Sequence, residues 1–145
     1  MIRRTFFYAI APLALLACAQ GAVGATLMVT KTAACGCCKG WVEHMKKAGF
    51  TVEVHDVDDV TPTATRLGVP ARLRSCHSAA IGGYAIEGHV PAADVKRLLA
   101  TRPKAAGLAV PGMVMGSPGM EGGQVQPYKT LLFDKAGKTR VFASH

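Results

Sequence analysis

Aromatic side chains are scarce, acidic ones scarcer than basic ones, and no long apolar run occurs beyond the first 25 residues. Aromatics make up 6% of the 145 residues, with a single tryptophan. Nucleic-acid surfaces combine clustered cations with stacking rings; here the lysines and arginines are scattered as well, so no nucleic-acid partner is expected. The small acidic cluster Asp56, Asp58, Asp59 lacks the ligand spacing of a calcium loop and reads as a solvated strand end. No internal repeat is present, and the length fits one domain with a modest core. The run from Phe6 to Ala17 is too short to cross a bilayer comfortably.

That run has another reading. Met1-Ile2-Arg3-Arg4 forms a positive start, small residues follow, and Val23-Gly24-Ala25 fits a leader-peptidase site. Residues 1–25 are therefore expected to be a signal peptide, with the domain over 26–145 beginning at Thr26 in the periplasm of a bacterium. Two variants stay open. Arg3-Arg4-Thr5-Phe6-Phe7 has a twin-arginine character, and Leu15-Leu16-Ala17-Cys18 resembles a lipoprotein box in which a lipidated Cys18 would tether the chain to a membrane. Removing Arg3 and Arg4 leaves 15 basic against 9 acidic side chains, a net charge of +6. This is read as a solvated basic surface with some attraction to anionic membranes.

Without Cys18, four cysteines remain: Cys35, Cys37, Cys38 and Cys76. An even count in an oxidising compartment ordinarily suggests structural disulfides. The spacing argues against that. Adjacent Cys37 and Cys38 pair only with strain, and a Cys35–Cys38 bridge closes too small a loop to restrict the unfolded chain much. Cys35-Gly36-Cys37-Cys38 follows an apolar strand-like segment and opens an amphipathic helix, whose first amides favour thiolate over thiol. Gly36 lets the backbone turn tightly. A third thiol inside a CxxC points to soft-metal binding beside dithiol exchange.

Periodicity predicts strands over 26–32 and 51–57 and a helix over 38–48 stopped by Gly49. A short helix follows within 58–67, with Thr61 as its cap and Pro62 in its first turn. Two extended pieces, 75–81 and 84–88, flank Gly82-Gly83. A helix runs from Pro91 to Pro103, residues 104–127 read as a Gly/Pro-rich segment, and 129–133 with 139–143 as a hairpin. The order β–α–β–α–β–β–α, with CxxC at the first strand–helix junction, matches an α/β, thioredoxin-like architecture: a central mixed sheet, flanking helices and a C-terminal β-hairpin. By analogy with such folds, Val69-Pro70 falls where a cis-proline faces the CxxC.

Ser75-Cys76-His77 offers a fourth sulfur and an imidazole. Neighbours on a regular strand face opposite ways, so Cys76 and His77 share one centre only where the backbone is irregular; a core cysteine beside a surface histidine is the alternative. Pro111 to Glu121 holds Met113, Met115 and Met120. Thioethers beside thiolates favour Cu(I), although methionine also serves as an adaptable core filler. His44, seven residues past Cys37, lies about 10 Å along a helix and is too far for the same centre. His55 and His89 have no ligand neighbours in sequence and read as ordinary histidines.

Several of these stretches in the same order resemble the CopG-type proteins of bacterial copper-resistance operons. They are Cys35-Gly36-Cys37-Cys38 with Trp41, Gly68-Val69-Pro70, Arg74-Ser75-Cys76-His77, Gly82-Gly83-Tyr84, Gly88-His89-Val90-Pro91 and Gly116-Ser117-Pro118-Gly119-Met120-Glu121. The resemblance covers nearly the whole chain after the leader. It implies a periplasmic, thioredoxin-like, copper-binding protein with a copper redox role. By position it implies Cys35, Cys37, Cys38 and Cys76 as thiolate ligands, with His77, Met113 and Met120 beside them. Ala34, Val114 in place of a proline, and Ser78 in place of a threonine depart from the family pattern and touch the methionine loop more than the cysteines.

The expected function is thus the holding of one or more Cu(I) ions by clustered thiolates in copper resistance, with copper ions and other envelope copper-handling proteins as partners. Cys35 and Cys38 would act catalytically if copper and thiol redox are coupled. A thiol–disulfide oxidoreductase using Cys35 and Cys38 without stable metal is the rival, and a small zinc module is a third reading.

Overall fold

The computed structural model describes residues 24–145; the leader sequence, Arg3-Arg4 and Cys18 lie outside the described residues. Seven strands form one mixed sheet, β1 (Leu27–Lys31), β2 (Val52–Asp56), β3 (His77–Ile81), β4 (Tyr84–Gly88), β5 (Gly107–Val110), β6 (Lys129–Phe133) and β7 (Thr139–Ser144), in the order β2-β1-β3-β4-β5-β6-β7. β1 runs parallel to β2, and β4 to β5; every other neighbouring pair is antiparallel. Among the described residues, three helices accompany the sheet: α1 (Gly36–Lys47), α2 (Thr61–Arg66) and α3 (Ala92–Thr101).

Alternation along the strands divides the core in two. On one face Leu27, Val29, Ile86, Leu108 and Leu132 pack with Trp41, Val42 and Met45 of α1 and Val95 and Leu98 of α3. On the other face Ala85, Ala109 and Phe133 meet Ala64 of α2 and Val69 and Leu73 of the loop beyond it. Trp41 is fully buried, and its indole N–H donates to the Val90 carbonyl at 2.8 Å, tying α1 to the start of α3.

The predicted elements recur, with four differences. α1 begins two residues earlier than periodicity suggests, because Cys35 itself serves as its N-cap and Gly36 and Cys37 join the first turn. Thr61 is not the cap of α2; the carboxylate of Asp59 accepts the Thr61 amide at 2.8 Å instead. The segment 104–127 contains a strand, β5, buried along its whole length between β4 and β6. No described peptide bond is cis, and Pro70 does not face the CxxC. It lies beside Gly137 in the β6–β7 turn, and a 3-10 turn over Ala71–Leu73 then redirects the chain toward the cysteines.

Candidate metal centre

The C-terminal ends of β1 and β4 and the start of β3 meet at one end of the sheet. Helix α1 leaves β1 there through a four-residue link. The Cys35 Sγ accepts the Cys38 amide at 3.3 Å, so the trio surrounds the helix N-terminus, where unpaired amides and the dipole stabilise negative sulfur. Cys35 and Cys38 are joined as a disulfide, and Cys37 and Cys76 are free.

Cys76 sits just before β3, where the backbone is bent, and that irregularity lets it share a centre with His77. Its Sγ lies 3.9 Å from that of Cys37, which is itself 3.4 Å from Cys35 Sγ. All four sulfurs fall within 4.8 Å of one another. A second group shares Cys76: its Sγ is 3.5 Å from His77 Nδ1 and 3.1 Å from His89 Nε2. Cys76 therefore bridges a sulfur cluster and an imidazole pair.

His89 corrects the sequence reading, which took it for an ordinary histidine. Its Nδ1 lies 2.8 Å from the Pro118 carbonyl. A carbonyl only accepts, so Nδ1 carries the proton and the Nε2 lone pair faces Cys76. His77 is fully buried against Trp41, with ring centroids 4.4 Å apart, and its Nε2 has no hydrogen-bond partner. Burial lowers both pKa values, that of His77 to about 3 with the His89 ring adding to the effect. Both rings are neutral at pH 7, the form that ligates metal. Burial, then the neighbouring Cys37, pushes the Cys76 thiol up to about 12. A soft cation placed among these sulfurs would displace that proton.

The supporting residues lock this geometry. Glu87, buried, accepts the Ser75 amide and the Ser78 hydroxyl, each at 2.6 Å, clamping both sides of the Cys76-His77 pair. Gly88 adopts φ +69°, and a Cβ there would stand 2.5 Å from the Val110 carbonyl oxygen and 2.8 Å from Ser75 Cβ. Only glycine fits at that close approach.

The methionine loop is fastened at two points. The Ser75 hydroxyl donates to the Gly112 carbonyl at 2.6 Å, next to Met113, which is 59% exposed. Gly119, at φ +85°, presses on the first turn of α1; a Cβ there would lie 2.5 Å from the Cys37 carbonyl oxygen. Half-buried Met120 follows it. Two histidines stand apart, as expected. His44 Nε2 accepts the Ala92 amide at 3.1 Å, and exposed His55 pairs with Glu53. Four sulfurs and two neutral imidazoles, one of them orphaned, make a soft donor set suited to copper.

A family model described as a protein of unknown function, DUF411, matches residues 73–120, which include Cys76, His77 and His89 but not the CxCC. No curated protein matches. Among solved structures, one titled "Copper resistance protein copG- Form 2" is 42% identical, with a TM-score of 0.79, covering 83% of this chain and 98% of that one. Another, "Copper resistance protein copG- Form 1", is 42% identical with a TM-score of 0.78, covering 83% of this chain and 96% of that one. With that identity over nearly the full length of those proteins, the chain belongs to the CopG copper-resistance family.

Proposed function

We propose that the protein is exported to the periplasm by its leader, residues 1–25, and there holds one or more Cu(I) ions in copper resistance. Cys35, Cys37, Cys38 and Cys76 are the thiolate ligands once the Cys35–Cys38 disulfide is reduced. His77 and His89 add imidazole, and Met113 and Met120 thioether, at the margin. One observation carries this reading: four sulfurs from two distant segments lie within 4.8 Å of one another. Bound Cu(I) compensates the thiolate charge, making the partial burial tolerable. Strands β1–β4 with α1 and α3 on one face are read as a thioredoxin-like core, and other envelope copper-handling proteins as donors or acceptors.

The Cys35–Cys38 disulfide supports a coupled redox step. Opening it takes two electrons, which two Cu(I) ions supply by each becoming Cu(II); the reverse re-forms the bridge. The same disulfide favours a second reading, dithiol exchange with Cys35 attacking and Cys38 resolving. Anaerobic Cu(I) titration of the reduced protein against a competing chelator, run beside an insulin-reduction assay, separates them. Copper uptake that is lost in Cys37→Ser supports the first. Strong reductase activity surviving Cys37→Ser, with feeble copper affinity, supports the second.

A further inference from the structure

The opposite end of the sheet carries a feature that copper binding leaves unused. Two adjoining cavities of about 500 and 540 Å³ share Ala105 and Lys135, and a smaller one of about 230 Å³ shares Lys104 with the first. Together they form a trough with apolar lining such as Leu67 and Tyr84, bordered by the cations Arg66, Lys104, Lys135, Lys138 and Arg140, with Asp134 the one carboxylate among the lining residues. These cations come from α2, the α3–β5 link and the β6–β7 hairpin, and all five are exposed. Among the described residues none of them lies within 4.0 Å of a carboxylate, whereas Lys31, Lys46 and Arg97 do. Asp134 is engaged internally, accepting the Ala136 and Lys138 amides at 2.9 Å to hold the turn. Five cations facing one committed carboxylate create a strong local positive field.

The register fixes where this trough lies. Met28, Ala80, Ala85, Gly107 and Phe133 pair in a row across the sheet at this end. The row includes the N-terminal part of β1, where the chain arrives from residue 24.

We propose that this trough is a docking surface for the anionic headgroups of a phospholipid bilayer, holding the protein with its sulfur cluster turned away from the membrane. Charge complementarity selects anionic phosphate. A folded protein partner would ordinarily seat on an apolar or aromatic anchor, and none of the large exposed apolar side chains, Val54, Met113, Val125 and Val141, lines the trough. A cation held near an anionic bilayer strengthens binding about fivefold. Four such cations then account for a change on the order of several hundredfold.

The test is co-sedimentation of the whole protein, expressed from its full sequence and recovered as the cell processes it, with phosphatidylglycerol–phosphatidylcholine vesicles and with phosphatidylcholine alone. The variant K104Q/K135Q/K138Q/R140Q is compared with K46Q/K47Q/K96Q/K129Q, which removes four exposed cations elsewhere. Because all eight positions are exposed, thermal melting is expected to be little changed in both. The proposal predicts salt-sensitive binding to the anionic vesicles, weakened more than a hundredfold in the first variant and less than tenfold in the second. Equal weakening in the two variants, or binding indifferent to lipid charge, overturns it. So does retention of the native protein on a polyglutamate resin, lost in the first variant, without vesicle binding, which would point to an acidic protein instead.

Discussion

Cys76 joins the two halves of the site, since among the described residues its sulfur alone touches both the thiols at the helix start and the imidazoles of His77 and His89. Cys76→Ser and His89→Gln are each expected to weaken Cu(I) binding by at least about tenfold, the scale on which even outer partners of a metal act. Competition against a coloured Cu(I) chelator measures this, and unchanged affinity in Cys76→Ser would count against the cluster. The cysteines were legible because four sulfurs in that spacing suit few other roles. His89 was not legible. Its neighbours Gly88, Val90 and Pro91 carry no ligand atoms, and only the pairing of Ser78 with Glu87 brings residue 89 back beside residue 76. Glu87 carries no sequence signal for the same reason, and its burial has a measurable consequence. Burial raises its carboxyl pKa, against the hydrogen bonds from Ser78 and Ser75. The folded state therefore keeps this proton to higher pH than the unfolded chain does. Its contribution to stability is fully present below the ordinary glutamate value of 4.5 and is lost as pH rises through the folded value. Urea unfolding across that window should show the decline in the native protein and a smaller one in Glu87→Gln; an equal decline in both removes Glu87 as its source.

At the scale of elements, strong periodicity was readable and short burial was not. Trp41, Val42 and Met45 share one arc of α1 and are all buried, and Gly49 ends the helix with φ +93°. The start of α1 was harder to read, since a cysteine as N-cap has no place among the usual capping residues. β5 defeats sequence reading altogether. Gly107-Leu108-Ala109-Val110 is only four residues long and buried on both faces, so it shows no alternation to separate it from the Gly/Pro-rich stretch around it. Its importance is measurable. Leu108 is fully enclosed in the larger core cluster, and Leu108→Ala should cost about 2–5 kcal/mol in denaturant unfolding. A loss within about 0.5 kcal/mol, the range of surface substitutions, would mean that β5 is not the buried strand described.

Across the whole molecule, the sheet separates two chemistries. Soft donors gather where β1 and β4 end, and exposed cations gather at the other end of the sheet. The α/β order was readable as far as α3. What periodicity could not supply was the parallel pairing of β4 with β5, which carries the C-terminal hairpin onto the same sheet and extends it to seven strands. That pairing also aims the chain after Val110 across Ser75 and then over the first turn of α1, which is how the methionine loop comes to flank the cysteines. In the proposed function copper meets sulfur from both Cys76 and the clustered trio. X-ray absorption at the copper edge, on reduced protein loaded anaerobically with Cu(I), tests this most directly. The expected spectrum is dominated by a sulfur shell with a minor nitrogen contribution, the nitrogen reduced in His89→Gln and the sulfur reduced in Cys76→Ser. A shell of oxygen and nitrogen alone, or a sulfur shell untouched by Cys76→Ser, would contradict it.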